Sequence, residues 1–172
     1  MYYNPLIAKE EGSMGKIIMI CGKLCSGKST LARKLSENGR SVILSIDEFM
    51  LELFGPYAGE KHDEYTAAIK NILIEKAAEI AKAGPDVILD WGFWKRKDRD
   101  QIRSYFEDKG IACTLIYLRI DDETWKNRIR MRNNAVSSGL AAAYHVDDGL
   151  MKKFSILFEE PDEREGFVPM QS

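Results

Sequence analysis

The sequence contains few of the residues that form disulfide frameworks or bind transition metals. Its three cysteines, Cys21, Cys25 and Cys113, cannot all pair, and Cys21 and Cys25 have no further ligand at metal-site spacing. The two histidines, His62 and His145, also lack metal-ligand spacing. We therefore expect a reducing compartment, and surface or loop positions for both histidines.

The chain also lacks a basic excess and a long apolar run. It has 25 Lys and Arg residues against 27 Asp and Glu, a net charge of −2, whereas proteins that bind duplex DNA usually carry a basic excess. No apolar run approaches the roughly 20 residues of a membrane span, and the start shows no signal-peptide pattern. We expect a cytoplasmic protein, and nucleic-acid packaging is disfavoured.

The remaining composition is typical of one globular domain. Of the 172 residues, 45% are hydrophobic and 30% are charged, which excludes long disorder. Residues 1–15 are expected to be a flexible lead-in, in which the Gly-Ser-Met stretch at 12–14 is compatible with a cloning scar. Residues 16–172 are predicted to form a single domain.

Apolar runs alternate with helical spacings from residue 16 onward. The predicted strands are 16–21, 41–46, 86–90, 111–118 and a short last strand at 166–169. The predicted helices are 28–38, 62–83, 97–109, 121–133 and 147–158, with a loose connection at 137–143. This alternation indicates βαβ units and a parallel, doubly wound α/β sheet.

The segment between the first strand and the first helix fits the pattern G-x-x-x-x-G-K-[ST]. Its glycines allow the backbone to wrap a phosphate and to present N–H groups at a helix N-terminus. Lys28 is predicted to reach the β- and γ-phosphates of a nucleotide, and Ser29 to hold Mg²⁺ through its hydroxyl. The predicted nucleotide-binding residues of this segment are Gly22, Lys23, Leu24, Cys25, Ser26, Gly27, Lys28, Ser29 and Thr30.

Two carboxylates stand at the carboxyl ends of predicted strands, the edge at which open α/β sheets bind ligands. Asp47 follows the second strand and can accept or orient the proton of an attacking hydroxyl. Its alternative role is a helix N-cap. Asp90 follows the third strand and can act on Mg²⁺ or position an acceptor, a cap or turn role being the alternative.

Aromatic and basic residues follow Asp90 directly. Trp91, Phe93 and Trp94 are predicted to form a wall for an organic acceptor, or else to pack in the core. Arg96 or Arg99 is expected to meet the acceptor, and the neighbouring basic residues to lie on a solvated helix start.

Arginines are concentrated in the predicted helix 121–133. Arg128 and Arg132 share one helix face, whereas Arg130 points to the other side with Lys126. Arginines that close over a γ-phosphate stabilise the charge that develops during phosphoryl transfer. We predict phosphate contacts for Arg128 or Arg132, the alternative being an ordinary solvated basic face.

Taken together, these segments resemble the small bacterial P-loop kinases of the AAA-33 and zeta-toxin-like group, which includes chloramphenicol phosphotransferase and the kinase domain of polynucleotide kinase. The resemblance runs from Lys16 to about Phe167. The segments that carry it are GKLCSGKST at 22–30, SIDEF at 45–49, VILDWGFWKRKDRDQIR at 87–103, YLRIDDETWKNRIRMRN at 117–133 and FEEPDERE at 158–165.

The resemblance implies a five-stranded parallel sheet of order 2-3-1-4-5 with helices on both faces. It also implies that Asp47 is the catalytic base, that Arg128 and Arg132 belong to a lid at about 119–134, and that Pro161–Glu165 passes near the adenine.

These observations predict an ATP- and Mg²⁺-dependent kinase that phosphorylates a hydroxyl of a small molecule. The predicted catalytic residues are Lys28, Asp47, Arg128 and Arg132. The predicted substrate-binding residues are Asp47, Asp90, Trp91, Phe93, Trp94 and Arg96, and the predicted metal ligands are Ser29 and Asp90. The alternatives are a polynucleotide 5′-kinase and a nucleotide-gated regulatory switch.

Overall fold

A computed structural model describes residues 13–55, 58–139 and 146–172, and these residues build one parallel sheet with helices around it. The strands are β1 (Ile17–Cys21), β2 (Ser41–Leu44), β3 (Asp86–Leu89), β4 (Cys113–Arg119) and β5 (Val168–Gln171). The helices are α1 (Lys28–Ser36), α2 (Ile46–Phe54), α3 (His62–Lys82), α4 (Arg96–Glu107), α5 (Asp122–Ser137) and α6 (Asp148–Leu157). His145 and most of the predicted lead-in lie outside the described residues.

All neighbouring strands are parallel, and their order is β2-β3-β1-β4-β5. This order confirms the one that the resemblance implies. β1 is central and is buried on both faces: Ile17 and Met19 pack on one side, and Ile18 and Ile20 on the other. A strand with two apolar faces requires helices on both, as its continuous apolar run predicts.

Each face of the sheet is covered by different helices. The face that includes Met19 packs against residues of α2, α3 and α4, such as Met50, Leu73 and Phe106. The opposite face packs against α1 through Ala32. No helix within the described part of the chain is both long enough and apolar enough to cross a membrane.

The second strand is shorter than predicted, and a helix that the sequence pattern did not reveal follows it. β2 ends at Leu44, and Ser45 caps α2 by accepting a hydrogen bond from the Glu48 N–H (3.3 Å). Asp47 therefore lies in the first turn of α2 and is not its N-cap. The apolar residues after Leu44 continue the run of the strand, which hides the change from extended to helical backbone.

A buried ion pair joins α4 to the segment before β5. The Arg99 guanidinium and the Glu165 carboxylate form two hydrogen bonds of 2.6 and 2.8 Å, and their side chains are 1% and 2% exposed. Arg99 Nη1 also donates to the Phe93 and Glu159 carbonyls at 3.0 and 2.9 Å. Most of the hydrogen-bonding capacity of this arginine is thus used inside the protein.

The same arginine holds a residue in an unusual backbone conformation. Phe93 has a φ of 45°, in the left-handed region that non-glycine residues rarely adopt. Its carbonyl accepts from Arg99 and also from the Cys21 thiol at 3.3 Å. Such backbone strain, of order 1–3 kcal/mol, persists only where surrounding contacts impose it.

The ion pair generates a prediction about stability. Arg99→Met leaves the Glu165 carboxylate buried without its partner, so we expect it to lower the free energy of unfolding by about 3–5 kcal/mol. Replacing both residues by Met is expected to cost less than the single change, because no charge remains buried. Urea unfolding monitored by circular dichroism measures both values, and Arg164→Met, at an exposed neighbouring ion pair, is the control.

The Arg99–Glu165 ion pair is expected to make the protein less stable at low pH. Burial raises the pKa of the Glu165 carboxyl, but the hydrogen bonds and charge of Arg99 outweigh this effect, and the pKa lies below its usual value. The stabilisation is therefore present at neutral pH and is lost as the pH falls through the lowered pKa. An Arg99→Met protein as stable as the wild type at pH 7 would contradict this account.

Candidate functional site

Residues 22–30, called the phosphate loop below, comprise the tight turn between β1 and α1 together with the first three residues of α1. A Cβ atom at Gly22 would lie 2.7 Å from Ser26 Oγ and 2.8 Å from the Leu118 carbonyl oxygen, so only glycine fits there. Gly27 has a φ of 97° at the N-cap of α1. Both glycines allow the backbone to turn sharply and to aim N–H groups at the space in front of the helix, an arrangement that favours anions.

The Lys28 ammonium lies against this loop. It donates to the Gly22 and Lys23 carbonyls at 3.1 and 2.9 Å. Burial lowers the pKa of Lys28, and the nearby charges of Asp90 and Asp47 act in the opposite direction. The Lys28 ammonium is thus held on the loop carbonyls, and its charge interacts with both carboxylates.

The two carboxylates predicted from the strand ends lie at the same edge of the sheet. β2 and β3 pair with Leu44 opposite Leu89, and the Asp90 N–H donates to the Leu44 carbonyl at 3.1 Å. Although much of the Asp47 residue is exposed, desolvation of its carboxyl raises the pKa, and the negative charge of Asp90 raises it further. A carboxylate of raised basicity next to a lysine is suited to receive a proton.

One face of α5 rests on the phosphate loop. The Trp125 indole N–H donates to the Leu24 carbonyl at 2.6 Å, and Arg128 Nη1 donates to the Ser26 carbonyl at 2.9 Å. Trp125 is buried and is three residues from Arg128, so both side chains reach the loop from one helix face.

Arg132 extends the same face by another turn. Its Nη1 lies 3.5 Å from the Cys25 Sγ, and its buried Nε has no hydrogen-bond partner among the described residues. Its charge also acts on Asp47. Arg130 is exposed on another side of the helix, bonded to Asn127, so the predicted division of the arginines between two faces is confirmed.

The aromatic residues after Asp90 divide into buried and partly exposed members. Trp91 and Phe93 are each 5% exposed and stack with ring centroids 5.6 Å apart, so both belong to the core. Trp94 is partly exposed and packs against Phe154 of α6. The Trp91 indole N–H is buried and has no partner in the described part of the chain.

The predicted acceptor contacts of two arginines receive no support from the structure. Arg99 is wrong as an acceptor contact because it is buried in the ion pair with Glu165. Arg96 is bound to Asp162 at 2.5 Å and to Asp100 at 3.4 Å. Its backbone N–H also donates to a side-chain oxygen of Glu159, at 2.8 Å.

The contact of Trp125 with the phosphate loop and the burial of Arg99 were not predicted from the sequence, although helical spacing gives a signal for both. Trp125 lies on the face of Arg128 and Arg132, three and seven positions before them. Arg99 occurs in a strongly charged run, but it precedes the buried Ile102 and Phe106 at the same helical spacings.

The AAA domain family AAA_33 matches residues 17–155, which is most of the chain. The chain belongs to this family. No curated protein has a significant match to the sequence of this AAA domain.

Several solved structures share the fold. A gluconokinase from Sinorhizobium meliloti 1021 is 16% identical, with a TM-score of 0.60 over 92% of this chain and 83% of its own. A structure of the PezAT chromosomal toxin–antitoxin system of Streptococcus pneumoniae is 17% identical, with a TM-score of 0.63 over 97% of this chain and 72% of that one. A chain of the Pnkp1/Rnl/Hen1 complex is 22% identical, with a TM-score of 0.57 over 70% and 41%. These likenesses establish a P-loop kinase-like fold, and the family match confirms the group that the motifs indicate.

The donor set of this AAA domain fits a magnesium ion that is shared with phosphates. Within the described residues no three His, Cys, Asp or Glu side chains form a metal-binding cluster. Mg²⁺ is usually held by one or two carboxylates or hydroxyls together with substrate phosphates and water. Ser29, exposed in the first turn of α1, and Asp90 are donors of this kind.

The contact between α5 and the phosphate loop is testable. Trp125→Phe keeps the ring but removes the N–H that binds the Leu24 carbonyl, so we expect a loss of about 1 kcal/mol in the free energy of unfolding. Hydrogen exchange at the phosphate-loop amides is expected to accelerate, which mass spectrometry measures. Met131→Ala, at an exposed position of the same helix, is the control, and unchanged exchange in Trp125→Phe would contradict the contact.

Proposed function

We propose that this AAA domain is a kinase that transfers the γ-phosphate of ATP to a hydroxyl of a small molecule. The observation that carries the proposal is the Lys28 ammonium bound to the carbonyls of the phosphate loop, with its charge interacting with the carboxylates of Asp47 and Asp90. This arrangement provides a cation for the phosphates and a base for the acceptor at the same edge of the sheet.

The nucleotide is bound mainly by the backbone of the phosphate loop. Its N–H groups and the N-terminus of α1 receive the β- and γ-phosphates. Lys28 exchanges its bonds to the Gly22 and Lys23 carbonyls for bonds to phosphate oxygens. Arg128 and Arg132, which already lie on the loop, are available to neutralise charge on the transferred group.

Asp47 performs the proton transfer. The acceptor hydroxyl gives its proton to the Asp47 carboxylate while its oxygen forms a bond to the γ-phosphorus. The bond between this phosphorus and the β–γ bridging oxygen breaks, and ADP leaves. The raised pKa of Asp47 makes it a stronger base than an ordinary aspartate.

Ser29 and Asp90 would hold the magnesium ion together with phosphate oxygens. When bound, the ion withdraws charge from the β- and γ-phosphates.

A polynucleotide 5′-kinase is the second candidate. Lys95 and Lys97 are exposed on either side of the start of α4, next to the partly exposed Trp94. Cationic and aromatic side chains of this kind bind single-stranded nucleic acid. A 5′-hydroxyl oligonucleotide therefore belongs among the acceptors tested.

The proposal predicts acceptor-stimulated release of ADP. Mg·ATP is incubated alone and with nucleosides, sugars, aminoglycosides, amphenicols and a 5′-hydroxyl oligonucleotide. We expect at least one acceptor to stimulate ADP release and Lys28→Ala to abolish it, because the γ-phosphate loses its main cation. Lys34→Ala, on the exposed end of α1, is the matched control. Tight ATP binding with slow release that no acceptor stimulates would instead favour a nucleotide-gated switch.

The role of Asp47 predicts a specific kinetic defect. With an acceptor in hand, Asp47→Asn is expected to lower kcat by about 10²- to 10⁴-fold and to leave the affinity for Mg·ATP nearly unchanged. Glu48→Gln, at the exposed neighbouring position, is the control.

The wild-type rate is expected to fall with decreasing pH through a pKa above the ordinary aspartate value of 3.8, because protonated Asp47 cannot accept a proton. Asp47→Asn is expected to lack this acidic limb. Full activity in Asp47→Asn would remove Asp47 from the mechanism.

A further inference from the structure

The side chain of Cys25 reaches from the phosphate loop to helix α5. Cys25 has a φ of 59°, in the left-handed region that glycine adopts at the lowest cost. Its side chain packs against a small apolar cluster that includes Trp125 and Ile129 of α5. A non-glycine residue in this backbone conformation persists only where surrounding contacts impose it. The contacts of this side chain with α5 are therefore part of what shapes the loop.

One of these contacts is a weak hydrogen bond with an arginine. Arg132 Nη1 lies 3.5 Å from Cys25 Sγ, and the buried Arg132 Nε has no partner within the described part of the chain. Sulfur accepts hydrogen bonds only weakly. The Arg132 guanidinium is thus held at the phosphate loop without a carboxylate or carbonyl partner among the described residues.

The other arginine on this face of α5 is bound to oxygen atoms. Arg128 donates to the Ser26 carbonyl at 2.9 Å and to the Ser172 hydroxyl. A phosphate oxygen must compete with these oxygens for Arg128, whereas it displaces only a sulfur from Arg132. Arg132 is therefore released to a phosphate at the lower cost.

Arg132 also acts on the proposed base. Its positive charge interacts with the Asp47 carboxyl, as do the charges of Lys28, Asp90 and His62. In the proposed function, the transferred phosphoryl group moves from the phosphate loop towards the acceptor beside Asp47. A cation that contacts the loop and acts on Asp47 is well placed to stabilise the charge that develops on this group.

We propose that Cys25 is a positioning residue for Arg132: its thiol holds the guanidinium on the phosphate loop, weakly enough for the γ-phosphoryl group to draw it away. This inference rests on the proposed function and assigns charge neutralisation at the transferred group to Arg132 more than to Arg128. When ATP binds, Arg132 exchanges the sulfur for a phosphate oxygen, so a weak hydrogen bond is replaced by a charge-assisted one.

The first test removes the sulfur and keeps the Cβ atom. Cys25→Ala leaves the backbone preference of the loop in place but offers Arg132 no acceptor. With an acceptor that stimulates ADP release, we expect kcat to fall by about tenfold to a hundredfold and KM for Mg·ATP to change much less. Cys25→Ser is expected to recover most of kcat, because its hydroxyl can accept in place of the thiol. Cys113→Ser, at a thiol of β4 that contacts the Ile111 carbonyl, is the control.

A double-mutant comparison separates positioning from a purely structural role. If Cys25 acts through Arg132, Cys25→Ala has almost no further effect on kcat in an Arg132→Met background. A similar fall of kcat in both backgrounds would assign Cys25 a structural role and overturn the inference.

The second test reads the contact without turnover. The Nε–H signal of Arg132 in NMR spectra, assigned with Arg132→Lys, reports on the surroundings of a buried atom. We expect this signal to shift in Cys25→Ala. In the wild type, we expect Mg²⁺ with a non-hydrolysable ATP analogue to shift it more than Mg·ADP, which lacks the γ-phosphate. An equal response to both nucleotides would contradict the release of Arg132 to the γ-phosphate.

The two tests separate failure of the inference from failure of the proposed function. The expected Arg132 shifts, without stimulated ADP release from any acceptor, would refute the kinase and retain the transfer of Arg132 from Cys25 to the γ-phosphate. Stimulated ADP release with an unchanged kcat in Cys25→Ala would retain the kinase and refute the positioning role. An Arg132 signal that responds neither to the nucleotide nor to loss of the sulfur would contradict the inference, whether or not ADP is released.

Discussion

The Arg99–Glu165 ion pair is the interaction on which the arrangement of the loop after β3 depends. Arg99 comes from α4, Glu165 from the turn before β5, and the carbonyl that Arg99 holds at Phe93 belongs to the loop that leaves β3. A single guanidinium therefore joins α4 and the loop just before it to a segment about sixty residues further along the chain. Buried ion pairs add little stability compared with apolar packing, but they are very sensitive to the loss of one partner. The expected consequence is a fixed loop geometry more than a large gain in stability.

The phosphate side of the site is organised in a different way. There the backbone supplies the cradle, and α5 reaches it through Trp125, Arg128 and Arg132 by contacts with loop carbonyls and with the Cys25 sulfur. Most of these contacts are partly buried, and they are made to atoms at the place where phosphates are expected to bind. A helix held in this manner can exchange its partners when a nucleotide enters, whereas the buried Arg99 cannot. In the proposed function, the buried contacts of Arg99 would fix the loop after β3, and the partly buried contacts of α5 would exchange when a nucleotide binds.

Much of the fold follows from local patterns in the sequence. The continuous apolar run of β1, the glycines of the phosphate loop and the helical spacing of α3 each lie within one segment, and the structure agrees with them. The strand order follows from the resemblance. The helix after β2 was missed because Ile46 prolongs the apolar run of the strand, and its cap, Ser45, gives only a weak signal. The distant carboxylate partners of Arg96 and Arg99, Asp162 and Glu165, could not be predicted, since they lie more than sixty residues away and are brought close only by the return of the chain to β5. The roles of the site residues remain proposals.

In the proposed function, the phosphate loop holds the γ-phosphate of ATP within reach of Asp47. A crystal structure with Mg²⁺ and a non-hydrolysable ATP analogue would show whether it does. We expect the β- and γ-phosphates to lie inside the phosphate loop, the Lys28 ammonium to leave the Gly22 and Lys23 carbonyls for phosphate oxygens, and Asp47 to face the γ-phosphorus. An analogue bound elsewhere, or a Lys28 that keeps its bonds to the loop carbonyls beside the bound analogue, would contradict it.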